Sequence, residues 1–205
     1  MRVFYSVVVL WIVLSGNGWT QQREPAFEVY ALTGAHYHGN LSLAREWKPQ
    51  YGAGVLAPLG RNWAAVFDVT TSATEAWWKH DGFPGTGPDD NFTRERRIIM
   101  VPSVVRLWRR DRFSIYAGGG VAFEHRRQRT RQRPIVARGP NGEPILGPDF
   151  EELNPRSTNR AAVLRIGGIV SLTRKVVLRT GYSLLPRYAD EKASQSLEFG
   201  IGYRF

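Results

Sequence analysis

Four acids and four bases recur in the chain against a background of alternating bulky and small residues: Glu28, Asp68, Glu124 and Glu198, with Arg106, Arg165, Arg179 and Arg204. Charges on the inner side of a β-structure persist only when paired and hydrogen-bonded, so this balance predicts an internal salt-bridge network. Counted from one end of the strands, Glu28 falls near Arg204, while Asp68, Arg165 and Glu198 share mid-height. Such a set predicts a plugged lumen that conducts poorly.

A second group is cationic. Arg126, Arg127, Arg129, Arg131, Arg133 and Arg138 fall in one stretch with no acid among them, and are expected in a long outer connection. Arginine favours charge-assisted, bidentate contacts to phosphate, so the stretch suggests contact with lipopolysaccharide. The formal charge of +10, of which residues 1–20 carry only Arg2, raises nucleic acid as a partner. The basic residues sit in one connection and in turns rather than along a helix face, and no nucleic acid is expected.

Histidine chemistry is thinner. His36 and His38 would share one face of a strand end as a metal pair, and His125 or Asp81 is the nearest third ligand, without clear spacing. His80 also falls in an outer connection. A lipid A-modifying enzyme at the rim is the alternative reading, followed by a small-solute channel. However, His125 is followed by Arg126-Arg127-Gln128, without the His-x-Ser arrangement of a deacylase. A set from His36 or His38, Asp90 and Ser42 has no motif behind it. No catalytic residue, metal site or cofactor is assigned. Cysteine is absent, which removes thiol nucleophiles and disulfides. Asn40-Leu41-Ser42 and Asn91-Phe92-Thr93 match the glycosylation pattern, which is frequent by chance. Gly82 to Pro88 reads as a flexible loop.

The elements that must position these residues are strands. Arg2 followed by an apolar run from Val3 to Leu14 reads as a secretory signal. The run is too short for a membrane helix, which needs roughly 20 residues. Cleavage near Thr20 leaves one domain over 21–205. No later stretch supplies a membrane helix. Alternation of period two recurs instead, clearest where Leu197, Phe199, Ile201, Tyr203 and Phe205 face one way and Ser196, Glu198, Gly200, Gly202 and Arg204 the other. Comparable runs at 26–36, 48–58, 62–72, 94–107, 113–126, 158–172, 176–186 and 195–205 make eight strands. Pro102 within the fourth predicts a bulge there.

Connections alternate in length: long near 37–47, 73–93, 127–157 and 187–194, short near 59–61, 108–112 and 173–175. That is the rhythm of an antiparallel up-and-down barrel crossing a membrane, with short periplasmic turns, long outer loops and both termini periplasmic. A soluble lipocalin-like barrel shares the periodicity but buries its bulky face. Here that face includes Trp63, Phe67, Phe113, Ile115, Val121, Phe123, Leu164, Ile166, Leu178, Tyr182 and Leu184. An eight-stranded lumen cannot hold such volume, so it must face lipid, while Gly52, Gly54, Gly118, Gly120, Gly167, Gly181, Gly200 and Gly202 line a lean interior. Trp63, Phe113, Tyr203 and Phe205 are placed to form a periplasmic aromatic girdle.

On Pro49-Gln50-Tyr51-Gly52-Ala53-Gly54-Val55, Tyr116-Ala117-Gly118-Gly119-Gly120-Val121 and the terminal Leu197 to Phe205, the chain resembles the OmpA-like family of small eight-stranded outer-membrane barrels. The resemblance spans roughly residues 26–205. It implies a monomer in outer-membrane lipid with a structural or surface-interaction role: envelope integrity, adhesion or lipopolysaccharide contact. In the wider class an alternating last strand ending in Phe is what the barrel-assembly machinery reads, which casts Tyr203 and Phe205 as an assembly signal. The two-domain members carry a peptidoglycan-binding domain, which is not expected to follow Phe205.

Overall fold

The computed structural model describes residues 27–37, 47–79, 91–186 and 193–205. The expected signal peptide (1–20) lies outside them, as do His38, Asn40, Ser42, His80, Asp81, Asp90 and the Gly82–Pro88 loop. Eleven strands follow in order: β1 (Glu28–Tyr37), β2 (Trp47–Pro58), β3 (Trp63–Trp78), β4 (Asn91–Arg110), β5 (Phe113–Gln132), β6 (Ile135–Arg138), β7 (Pro144–Leu146), β8 (Glu151–Leu153), β9 (Arg156–Ser171), β10 (Val176–Leu185) and β11 (Ser194–Arg204). Eight of them, β1 to β5 and β9 to β11, close into one antiparallel barrel through the β1–β11 and β4–β5 pairings. The other three are short: β8 adds to the far end of β5, and β6 with β7 forms a separate hairpin.

Closure requires a stagger. From Ala31, successive partners Ala53, Val69 and Met100 lead to Phe123 on β5. In the other direction, Ile201, Leu178 and Val170 lead to Phe113, ten residues back on the same strand. That offset tilts the strands and leaves an interior that side chains can fill. The wall is uneven: β4 and β5 run 20 residues and β3 and β9 run 16, against 10 to 12 for the rest. The surplus all lies at the end away from the short turns.

The alternation decides the two faces. Tyr51, Trp63, Phe67, Val121, Leu164, Ile166, Leu178, Phe199 and Ile201 point outward and are exposed, while Glu28, Tyr30, Asp68, Arg165, Arg179 and Glu198 point inward and are buried. An apolar belt round a polar core is stable only where the surroundings are apolar.

Two expectations fail here. Pro102 makes no bulge: β4 keeps one register with β3 on both sides of it, and its ladder to β5 merely skips Val101 and Pro102 before resuming at Ser103. Outward-facing Pro102 loses its hydrogen bond without displacing the chain. Nor is 127–157 one long loop. β5 stays paired with β4 as far as Arg131, and Arg127 pairs with Arg156 on β9.

Short turns close the other end. Asp111 takes φ 45°, a left-handed conformation that Asp tolerates better than most residues, in the two-residue link between β4 and β5. Thr173 Oγ accepts bonds from the backbone N–H groups of Lys175 and Val176 at 3.2 and 2.9 Å. Glycine at 167 makes room inside: a Cβ there would press on the Thr180 carbonyl and the Tyr116 phenol. Gly167→Val is therefore expected to cost about 1–3 kcal/mol from overpacking. Urea unfolding in detergent measures it, with the heat-dependent gel shift of a closed barrel showing whether the variant still folds.

Candidate functional site: a charged lumen and an arginine-faced outer wall

The inward phase of five strands, β1, β3, β9, β10 and β11, builds one connected set of charges. At the turn end, Arg204 holds Glu28 Oε1 with Nε at 2.9 Å and Nη2 at 2.5 Å, and donates from Nη1 to Ser171 Oγ at 3.1 Å. Arg179 reaches the other Glu28 oxygen at 3.4 Å, with its guanidinium over the Tyr30 ring at 3.8 Å and 5.5 Å from the Tyr116 ring centre. Tyr30 donates its hydroxyl to Asp68 at 2.5 Å. Arg165 completes the set: it pairs with Asp68 and, at 3.1 Å, with Glu198, and donates to Ser103 Oγ at 3.3 Å.

Three carboxylates thus meet three guanidiniums inside the barrel, from its turn end to its middle. The planar five-donor fork of arginine suits this position, since each guanidinium can serve several acceptors at once. What space remains among Tyr30, Tyr116, Arg165, Arg179 and Glu198 is about the size of one water.

Above this set lies an apolar layer of Ile99, Val101, Ala122, Val163 and Leu185. Beyond it sits a second ionic cluster. Arg97 pairs with Glu95 and, at 3.1 Å, with Glu124, while Arg126 approaches Glu95 and Glu124 at 3.5 and 3.6 Å. Glu124 therefore belongs to this upper cluster and not to the network of Glu28, Asp68 and Glu198. Glu95 and Arg97 were missed by sequence reasoning. They share the odd-numbered inward phase of Ile99, Val101 and Ser103, a signal that an expected bulge at Pro102 hides.

The same phase corrects Arg106. It points outward and is exposed, its guanidinium 5.5 Å from the Trp108 ring centre. With no bulge at Pro102, residues 102, 104, 106 and 108 all face lipid or its boundary.

The arginine stretch is likewise redistributed, because β5 stays paired through it. Arg126 turns inward, Arg127, Arg129 and Arg131 lie on the outward phase of β5, Arg133 follows the strand, and Arg138 is exposed on β6. The outward set is joined by residues far away in sequence: Arg94 and Arg96 on β4, Arg156 and Arg160 on β9. Three cross-strand pairs bring like charges face to face: Arg94 with Arg129, Arg96 with Arg127, and Arg127 with Arg156. Directly opposed like charges destabilise a sheet. Among the described residues two acids pair with this face, Glu75 with Arg94 at 2.5 Å and Glu152 with Arg129 at 2.9 Å. Ile98, Met100 and Val121 lie just below, at the start of the apolar belt.

His36 lies at a strand end, as expected: it is buried inside β1 at the end away from the short turns, with Nδ1 2.6 Å from the buried Ser196 Oγ. His125 is exposed on β5, 3.2 Å from Thr158 Oγ1. Among the described residues no group of three His, Cys, Asp or Glu could hold a metal ion. Tyr203 and Phe205 are exposed at the turn end, their rings 5.0 Å apart, and Phe205 packs 6.0 Å from Phe27.

Solved structures match this geometry. Ail, the attachment invasion locus protein of Yersinia pestis, solved with the heparin analogue sucrose octasulfate, superposes with a TM-score of 0.54 at 9% identity over 88% of this chain and 97% of its own. Neisserial surface protein A gives 0.54 at 14% over 87% and 97%. OprG, from Pseudomonas aeruginosa, gives 0.54 at 10% over 87% and 95%. The fold is that of the small outer-membrane β-barrels. No family model and no curated protein sequence matches the chain.

In this barrel, removing Arg165 would strand Asp68 and Glu198 in the core. Arg165→Ala is expected to lower the unfolding free energy by about 3–5 kcal/mol. Arg106→Ala, on the outer face, should change it by well under 1 kcal/mol. Urea titrations of both variants in the same lipid test the inward and outward assignments together.

Proposed function

We propose that the protein is a closed, non-catalytic outer-membrane barrel whose working surface is the arginine-faced wall of β4, β5 and β9, and that this wall binds the phosphates of lipopolysaccharide. The observation that carries the reading is the direct opposition of arginines across three strands. Such a lattice is unfavourable on its own and becomes favourable when polyanionic groups bridge it. Its position just beyond the apolar belt suits the phosphorylated sugars at the top of an outer leaflet. The sulfated sugar held by Ail, a barrel of the same fold, is an anion of related chemistry.

The lumen serves as a plug in this reading, which the two charge-balanced clusters and the apolar layer between them among the described residues support. The turns face the periplasm, which sets both termini there. The outward alternation of Leu197, Phe199, Ile201, Tyr203 and Phe205 suits recognition of the last strand by the assembly machinery. The barrel acts as a monomer.

Arg96, Arg127 and Arg156 together changed to Ser should raise the sensitivity of expressing cells to polymyxin and to chelators several-fold, with the barrel still heat-modifiable on gels. Unchanged sensitivity would defeat the lipopolysaccharide assignment. Expression should leave the acyl pattern of lipid A unchanged by mass spectrometry. Planar bilayers should show no large, steady conductance for the wild type.

The absence of native cysteine makes the orientation testable. In intact cells an impermeant maleimide should label Asn141→Cys, between β6 and β7, and leave Leu59→Cys, in the β2–β3 turn, unlabelled until the outer membrane is opened.

A further inference from the structure

The turn end of the barrel carries its own concentration of positive charge. In the three hairpin turns, Arg61, Arg110, Arg112, Arg174 and Lys175 are exposed, and Asp111 is the one acid among residues 59–62, 109–112 and 172–175. None of these residues takes part in the lumen network or the arginine wall.

Hydrogen bonds hold these turns in one rim. Arg109 donates from Nη1 to the Arg61 carbonyl at 2.5 Å, and Leu107 N–H donates to the Asn62 carbonyl at 2.8 Å. Ser171 N–H donates to the Arg112 carbonyl and Arg204 N–H to the Lys175 carbonyl, both at 2.7 Å. The depth of the rim is marked by exposed aromatics: Trp63, Trp108, Tyr203 and Phe205. Lys175 Nζ lies 5.7 Å from the Tyr203 ring centre, so the cations begin where the aromatic girdle ends. Aromatic girdles sit at the boundary between hydrocarbon and headgroups. Cations one step beyond are therefore level with lipid phosphates, on a frame whose backbone is already fixed.

We infer that this rim is a binding surface for acidic phospholipid headgroups, such as phosphatidylglycerol, in the leaflet that meets the short turns. Charge complementarity and depth select this occupant. The attraction of one Lys or Arg to an anionic membrane surface is equivalent to about fivefold in binding, and salt screens it. With the orientation proposed above, the leaflet is the periplasmic one, so the leaflet assignment rests on that reading while the headgroup site does not.

The test uses the full barrel in phosphatidylcholine nanodiscs, with a fluorophore on Leu59→Cys and a small fraction of headgroup-spin-labelled phosphatidylglycerol or phosphatidylcholine as quencher. The phosphatidylglycerol probe should quench at least about fivefold more efficiently at low salt, lose most of that advantage near 1 M NaCl, and lose it altogether when Arg61, Arg110, Arg112, Arg174 and Lys175 are changed to Gln. Heat-dependent gel mobility confirms that this variant folds. Equal quenching by the two lipids, or an advantage that survives the five substitutions, overturns the site. Complete displacement by millimolar inorganic phosphate would also overturn it, by showing a site for soluble anions. If the lipid preference holds but intact cells label Leu59→Cys, the headgroup site stands and the orientation falls.

Discussion

Burial of Arg165 between Asp68 and Glu198 is the constraint on which the rest of this barrel depends. An eight-stranded lumen is too narrow for bulk water, so any ion inside must be neutralised by another side chain at bonding distance. Satisfying Arg165 brings Asp68 on β3, Ser103 on β4 and Glu198 on β11 to one level, which fixes the strands relative to one another across the lumen. Tyr30 carries that level downward from Asp68 to Arg179, and Glu28 carries it on to Arg204. A shift of one strand by a single residue would turn its charges toward lipid and its apolar side chains into the lumen.

Glycine is the counterpart of these long side chains. Gly54 lies against Tyr30 and Asp68, and Gly167 and Gly181 lie against Tyr116. Each missing side chain admits a ring or charged group from a nearby strand, at Gly54 and Gly167 from the directly paired residue. Lean and bulky positions are thus complementary, which is why a chain with many inward glycines nevertheless has a filled interior.

Charge on the outside follows a different logic. The outward face carries an apolar belt and is cationic at both edges, with arginines on the tall β4–β5–β9 wall at one end and on the hairpin turns at the other. Opposed arginines such as Arg96 and Arg127 weaken the sheet that carries them. The long ladder between β4 and β5, which pairs residues from Phe92–Arg131 to Arg110–Phe113, is what lets the wall bear that repulsion.

Period-two alternation by itself determined the barrel, its lipid-facing side and the inward direction of Glu28, Asp68, Arg165, Arg179, Glu198 and Arg204, because side-chain direction in a strand is a local property of the backbone. The rest depended on registers between strands, which are not local. Whether Pro102 shifts the phase of β4 decided where Glu95, Arg97 and Arg106 point. How far β5 stays paired decided whether its arginines form a loop or the middle of a wall. Arg94, Arg96, Arg156 and Arg160 join that wall from other strands, and Glu124 leaves one ionic cluster for another across the apolar layer. Only tertiary structure decided these outcomes, since a pairing register is set by the closure of the whole barrel and by the volume inside it, and neither is written in any one strand.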